Sequence, residues 1–168
     1  MRKSIALIGF MGVGKTTIGR ILAEKLGYDF IDVDTEIERE TGKSINEIFQ
    51  LHGEAFFRKL ESDIIRELSN KDRLVIACGG GAVTNIENAE TLQKSSKMIY
   101  LTASIDEIVD RTKGESTRPL LNVANPVEAA SELYENRKPI YVRYADLEVD
   151  TTDKTIEEVV GFILERIK

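Results

Sequence analysis

Cysteine and histidine are nearly absent from this chain, and each shortage removes a class of function. Among 168 residues there is one cysteine, Cys78, and one histidine, His52. A lone cysteine forms no intrachain disulfide, which argues against a stapled secreted fold and points to the reducing cytoplasm. A single histidine builds neither a His-rich metal site nor two-histidine chemistry. Cys78 closes the apolar run Leu74-Val75-Ile76-Ala77-Cys78, where a thiol serves as a small buried hydrophobe. No stretch approaches the ~20 apolar residues of a membrane span. The apolar run behind Arg2 and Lys3 is brief and breaks into glycines, which argues against a signal peptide. Basic charge is also short: 23 Lys and Arg face 29 Asp and Glu, a net charge of −6. That balance disfavours nucleic acid and anionic membrane as partners. Any anionic substrate must then be held by locally placed arginines and lysines. No repeat, low-complexity tract or Pro/Gly/Ser-rich linker divides the chain, and its length suits one domain spanning 1–168.

What is present is concentrated near the start. Gly9-Phe10-Met11-Gly12-Val13-Gly14-Lys15-Thr16 fits the glycine-rich loop whose backbone N–H groups wrap nucleotide phosphates. The glycines let the main chain approach phosphate oxygens without a Cβ in the way. Lys15 is placed to reach the β- and γ-phosphates, and the Thr16 hydroxyl to ligate Mg²⁺. The context agrees: Ser4 to Ile8 reads as a buried strand, and Thr17 to Leu26 as a helix with Ile18, Ile21, Leu22 and Leu26 on one face and Gly27 as its stop. A helix start behind the loop adds anion affinity. These residues predict binding of a nucleoside triphosphate.

The remainder alternates strand and helix. Tyr28 to Asp34 reads as a strand ending in acids, and Ser44 to Leu51 as a helix opened by a Ser44/Glu47 capping box. Gly53 to Leu68 reads as a longer helix with Phe56, Leu60, Ile64, Ile65 and Leu68 inward. Residues 74–78 and 98–101 are apolar strands, with helices over 86–95 and from Ser104 to about Lys113. Gly114 to Pro126 has no apolar period and reads as a mobile loop. Helix 128–144, strand 146–149 and helix 155–167 complete the pattern. The alternation predicts an α/β fold: three layers, with a central parallel sheet of five strands flanked by helices. Chemistry in such sheets sits at the carboxyl ends of the strands.

Three groups of residues fall there. Asp32 and Asp34, one residue apart, project to one side if the pleat continues, and they then divide metal support from hydroxyl binding. The competing reading is a polar loop start that caps the next helix. Gly79-Gly80-Gly81 directly follows a buried strand and leaves backbone N–H groups bare for a ligand. Arg58, with Glu61 as an i, i+3 partner, and Arg137, Arg118 and Arg111 offer guanidinium groups to a carboxylate or a transferring phosphoryl group.

In this order and spacing the motifs resemble those of the shikimate kinases, P-loop enzymes similar in fold to nucleoside monophosphate kinases. The residues that carry the likeness are the 9–16 loop, Asp32-Val33-Asp34, Phe57-Arg58, Gly79-Gly80-Gly81-Ala82-Val83, Arg118-Pro119-Leu120-Leu121 and Arg137-Lys138-Pro139-Ile140-Tyr141. Val33 departs from the Ser or Thr common between the two acids. The resemblance implies transfer of the γ-phosphate of ATP to the 3-hydroxyl of shikimate, in the pathway to chorismate, by a cytoplasmic monomer that uses Mg²⁺. It implies ATP contacts from Gly12, Val13, Gly14, Lys15, Thr16, Thr17, Arg111, Arg118, Asp153 and Lys154, and metal support from Thr16 and Asp32. Shikimate would meet Asp34, Arg58, Gly79, Gly80, Gly81 and Arg137, with a shikimate-binding helical region at about 33–61 and a mobile lid at about 112–125. Lys15, Asp34 and Arg118 would be catalytic. Rival readings are a gluconate or nucleotide kinase of similar architecture and, from another class, a regulatory nucleotide switch.

Overall fold

The computed structural model describes residues 2–112 and 124–168. Five strands run parallel: β1 Ser4–Ile8, β2 Asp29–Asp32, β3 Leu74–Ala77, β4 Ser96–Thr102 and β5 Leu147–Asp150, in the spatial order β2-β3-β1-β4-β5. The helices between them are α1 Lys15–Leu26, α2 Val33–Thr41, α3 Ile45–Leu68, α4 Ile86–Ser95, α5 Ile105–Thr112, α6 Pro126–Tyr144 and α7 Ile156–Arg166. Every residue of β1 and of β3 is buried. Strands covered on both faces read as unbroken apolar runs, which is why 74–78 carries no alternation.

The register sets the position of the functional rim. Leu7 and Asp32 both lie opposite Ala77, so the 9–16 loop, the Asp32 acid and the residues after β3 leave the sheet at one level. The strand order reverses at β1, and such a switch point opens a crevice beyond the carboxyl ends. Close packing holds α1 onto the sheet. A Cβ at Gly19 would come within 2.6 Å of the Phe30 ring and 3.2 Å of Leu7. That proximity offsets the roughly 1 kcal/mol cost of glycine inside a helix.

Several boundaries differ from the pattern in the sequence. Helix α3 runs from Ile45 to Leu68 but is broken at Gly53, with φ 81° and ψ 174°. The break shifts the helical phase, so Phe57 is buried against Phe49, ring centroids 5.0 Å apart. Phe56, expected inward, is instead exposed against His52. Helix α6 starts at Pro126 with Asn125 as its N-cap, two residues before the expected Glu128. The lid expected at about 112–125, and Arg118 with it, falls largely on residues 113–123, outside the described residues.

Candidate active site

The 9–16 loop joins β1 to α1 through backbone that side chains resist. Gly12 and Gly14 have φ of 79° and 96°, the left-handed region where a Cβ is costly. Gly14 is also the N-cap of α1 and contributes no side-chain cap, and no acid occupies the first turn. The helix start therefore presents its N–H groups and positive dipole end to an anion. Lys15 is buried, and its ammonium donates to the carbonyls of Gly9 at 2.7 Å and Phe10 at 2.8 Å. These two bonds hold the charge over the loop.

The paired acids are arranged differently from the extended pleat that their spacing suggested. Asp32 ends β2 as the N-cap of α2, and its Oδ1 accepts the Thr35 N–H at 3.1 Å. That bond starts the helix at Val33, so Asp34 stands in the first turn of α2 rather than on a strand. The capping reading of Asp32 holds through one of its oxygens. Its Oδ2 accepts the Thr16 hydroxyl at 2.6 Å. A hydroxyl and a carboxylate side by side at a phosphate loop suit Mg²⁺, a hard ion that takes one or two protein oxygens beside phosphate and water.

The glycine triplet is where the charged groups meet. A Cβ at Gly79 would lie 2.8 Å from Glu61 Oε2 and 3.2 Å from Asp34 Oδ1. At Gly80 it would lie 3.3 Å from Arg137 Nη1, and at Gly81 2.5 Å from Arg58 Nη2. Each glycine thus makes room for a different ionic side chain. The expected Arg58–Glu61 pair is present at 2.9 Å, with Glu54 on the outer side of Arg58 at 3.3 Å. A small cavity of about 50 Å³ is lined by Lys15, Thr16, Asp32, Asp34, Gly79 and Gly80 among others. It joins the phosphate loop to the triplet.

Two further residues hold this arrangement. Tyr141, stacked on Tyr100, donates its hydroxyl to the Gly80 carbonyl and lies against the Arg137 guanidinium. Burial pushes the Tyr141 phenol up to about 12, so it remains a donor at neutral pH. One helical turn separates it from Arg137, and both stand in the 137–141 motif, which by itself gives Tyr141 no role. Glu61 is the other. Burial pushes its carboxyl up to about 6, and the neighbouring Asp34 charge acts in the same direction, while Arg58 and Arg137 oppose them.

Glu61 gives the fold a pH dependence of defined sign. Its native value lies above the ordinary 4.5, so the native state holds the proton more tightly than the unfolded chain does. The stability this contributes is complete below about pH 4.5 and is lost as pH rises through about 6. From well below pH 4.5 to well above pH 6 the wild type is expected to lose roughly 2 kcal/mol relative to Glu61→Gln. Urea unfolding of both proteins at several pH values measures the difference, and a flat difference contradicts the assignment.

On the opposite side of the phosphate loop lies a cavity of about 230 Å³. Val13, Gly14, Thr17, Arg111, Thr151, Lys154 and Ile156 are among the residues that line it. Arg111 donates to the Gly12 carbonyl at 3.2 Å. The Asp153 side chain is exposed, and its backbone N–H rather than its carboxylate is engaged. A triphosphate lying across Gly12–Thr16 would extend its base towards this cavity.

A phosphate loop on a 2-3-1-4-5 parallel sheet, with an acid and arginines gathered beyond it, defines a P-loop phosphotransferase acting on a small anionic acceptor. The family model for shikimate kinase matches residues 11–168. A shikimate kinase from Thermodesulfovibrio yellowstonii is 47% identical over 162 residues, covering 96% of this chain and 93% of its own. The structure of the shikimate kinase from Acinetobacter baumannii in complex with shikimate superposes with a TM-score of 0.96 at 40% identity, covering 98% of this chain and 92% of that one. The chain belongs to the shikimate kinase family. A gluconokinase from Sinorhizobium meliloti, with a TM-score of 0.57 at 16% identity over 98% of this chain and 90% of its own, shares the fold alone.

Proposed function

We propose that the cavity joining the phosphate loop to the glycine triplet is where ATP and shikimate meet, and that the 3-hydroxyl of shikimate receives the γ-phosphate there. The observation that carries this is the triplet itself, against which Asp34, Arg137 and Arg58 converge. Arg58 and Arg137 grip the substrate carboxylate by charge-assisted hydrogen bonds, and the backbone of Gly79, Gly80 and Gly81 lines the same pocket. Asp34 accepts the hydrogen bond of the reacting hydroxyl and aims its oxygen at the γ-phosphorus. As that P–O bond forms, the bond to the β-phosphate oxygen breaks. Such transfers depend on alignment and charge neutralisation more than on a strong base. The loop N–H groups and Lys15 supply positive charge for the phosphates, and Arg118 adds its guanidinium to the transferring group.

Thr16 and Asp32 are the residues that would hold Mg²⁺. When bound, that ion neutralises phosphate oxygens and fixes the triphosphate. The base lies in the cavity bordered by Arg111 and Lys154, with Thr17 and Asp153 at its margins. Helix α2 with the first part of α3, about 33–61, forms the shikimate side. The single buried thiol suits a reducing cytoplasm, and a monomer contains every element the reaction needs.

A coupled ADP-release assay across shikimate, gluconate, quinate and nucleoside monophosphates tests the reading. Turnover is expected with shikimate and at background levels with the others. Comparable kcat/KM on gluconate would overturn it, since that acceptor also carries a carboxylate and hydroxyls.

A further inference from the structure

One carboxylate near the base cavity is bound on both sides of it. Glu107, on α5, uses its two oxygens for different elements. Its Oε2 accepts Arg111 Nη2 at 2.6 Å, and its Oε1 accepts the backbone N–H of Asp153 at 3.1 Å. Arg111 in turn reaches the phosphate loop through the Gly12 carbonyl at 3.2 Å. A single side chain thus ties together α5, the loop after β5 and, through Arg111, the 9–16 loop.

One partner of Glu107 lines the 230 Å³ cavity, and the other is next in the chain to a residue that does. Arg111 is part of that lining, and so are Lys154 and Ile156, just beyond Asp153. Asp153 has φ of 54°, an uncommon conformation for a residue with a side chain. The bond to Glu107 holds that conformation, with help from a neighbouring contact, Ser104 N–H to Thr152 Oγ1 at 3.1 Å. Helix α5 does not depend on the Glu107 carboxylate for its start, because Ser104 Oγ accepts the Glu107 backbone N–H at 3.3 Å. The carboxylate is therefore spent on the geometry of the slot and not on the helix.

We propose that Glu107 is a positioning residue for ATP, setting the width of the slot that receives the base by fixing Arg111 and the loop after β5 at once. This rests on the reading of the cavity as the base site. Glu107 does not line the cavity at the glycine triplet, so its removal should act on ATP alone. Glutamine at this position keeps an acceptor for the Asp153 N–H but loses the charge that holds Arg111, so it separates the two contacts.

The test compares wild type, Glu107→Ala and Glu107→Gln by steady-state kinetics with each substrate varied, together with melting curves with and without ADP. Glu107→Ala is expected to raise the KM for ATP about tenfold, with the KM for shikimate within about twofold and a reduced ADP-induced rise in melting temperature. Glu107→Gln is expected to fall between the two. The double variant with Arg111→Ala should weaken ATP binding less than the sum of the single effects, because both act through one bond. An unchanged KM for ATP in Glu107→Ala overturns the proposal, and so does an equal rise in both KM values. If the alanine variant does not fold, a wild-type KM for ATP in Glu107→Gln overturns the Arg111 arm by itself. These failures differ from failure of the base site as such, in which Arg111→Ala would also leave the KM for ATP unchanged.

Discussion

Lys15→Ala is expected to lower turnover at least about a thousandfold, a loss of roughly 4 kcal/mol of transition-state stabilisation. The reason lies in how the ammonium is held. It is buried and fixed by the Gly9 and Phe10 carbonyls, so its charge is already placed where phosphate oxygens arrive and little reorganisation is needed. In a water-poor site that charge is only weakly screened. The loop's own shape depends on glycine dihedrals rather than on Lys15, so the variant should still fold. Circular dichroism and a melting curve check that, and a shikimate titration monitored by melting temperature should show the acceptor still binding. Turnover within tenfold of wild type would remove Lys15 from the phosphate role.

Arg137→Ala should act on the other substrate. Its guanidinium is buried beside Gly80 and against the Tyr141 hydroxyl. Removing one partner of a buried, charge-assisted contact with a carboxylate costs on the order of 2–4 kcal/mol, or a rise of about thirtyfold to a thousandfold in the KM for shikimate. ATP affinity should change little, because the base cavity lies on the far side of the phosphate loop. Arg137→Lys separates charge from shape: it retains the positive group but not the planar fork, and its KM should lie between the two. Unchanged shikimate kinetics in the alanine variant would place Arg137 outside the site.

The parts of this molecule that can be read from its residues are those set by short-range chemistry. The phosphate loop, the Gly27 stop of α1, the Ser44/Glu47 capping box and the unalternating strand at 74–77 are all dictated by neighbours in the chain. Asp34 is harder to place. Two acids one residue apart suit both a pleated strand and a helix start, and the Asp32 carboxylate decides for the helix by capping Thr35. Periodicity fails at Phe56 because the break at Gly53 rotates the second half of α3 relative to the first. Glu107 shows locally only an i, i+4 spacing to Arg111, and Tyr141 the same spacing to Arg137 within a motif that does not reveal its role. Their decisive partners, Asp153 and Gly80, lie 46 and 61 residues away. Contacts of that range are properties of the assembled sheet and have no local signature.

The interruption of α3 at Gly53 has a mechanical consequence. The first section of α3 is tied to α2, which bears Asp34, by the Ile45 N–H donating to Glu38 Oε1 at 3.0 Å, whereas Arg58 and Glu61 ride on the section beyond the break. The two rods meet at one swivel with no heavy atom within 4 Å of the missing Cβ, so only the backbone angle prevents a side chain there. On the proposed assignment, the residues for the hydroxyl and for the acid therefore stand on helical sections separated by this break. A change in the tilt of one section moves Asp34 relative to Glu61 and Arg58, so the break sets the spacing between the two groups.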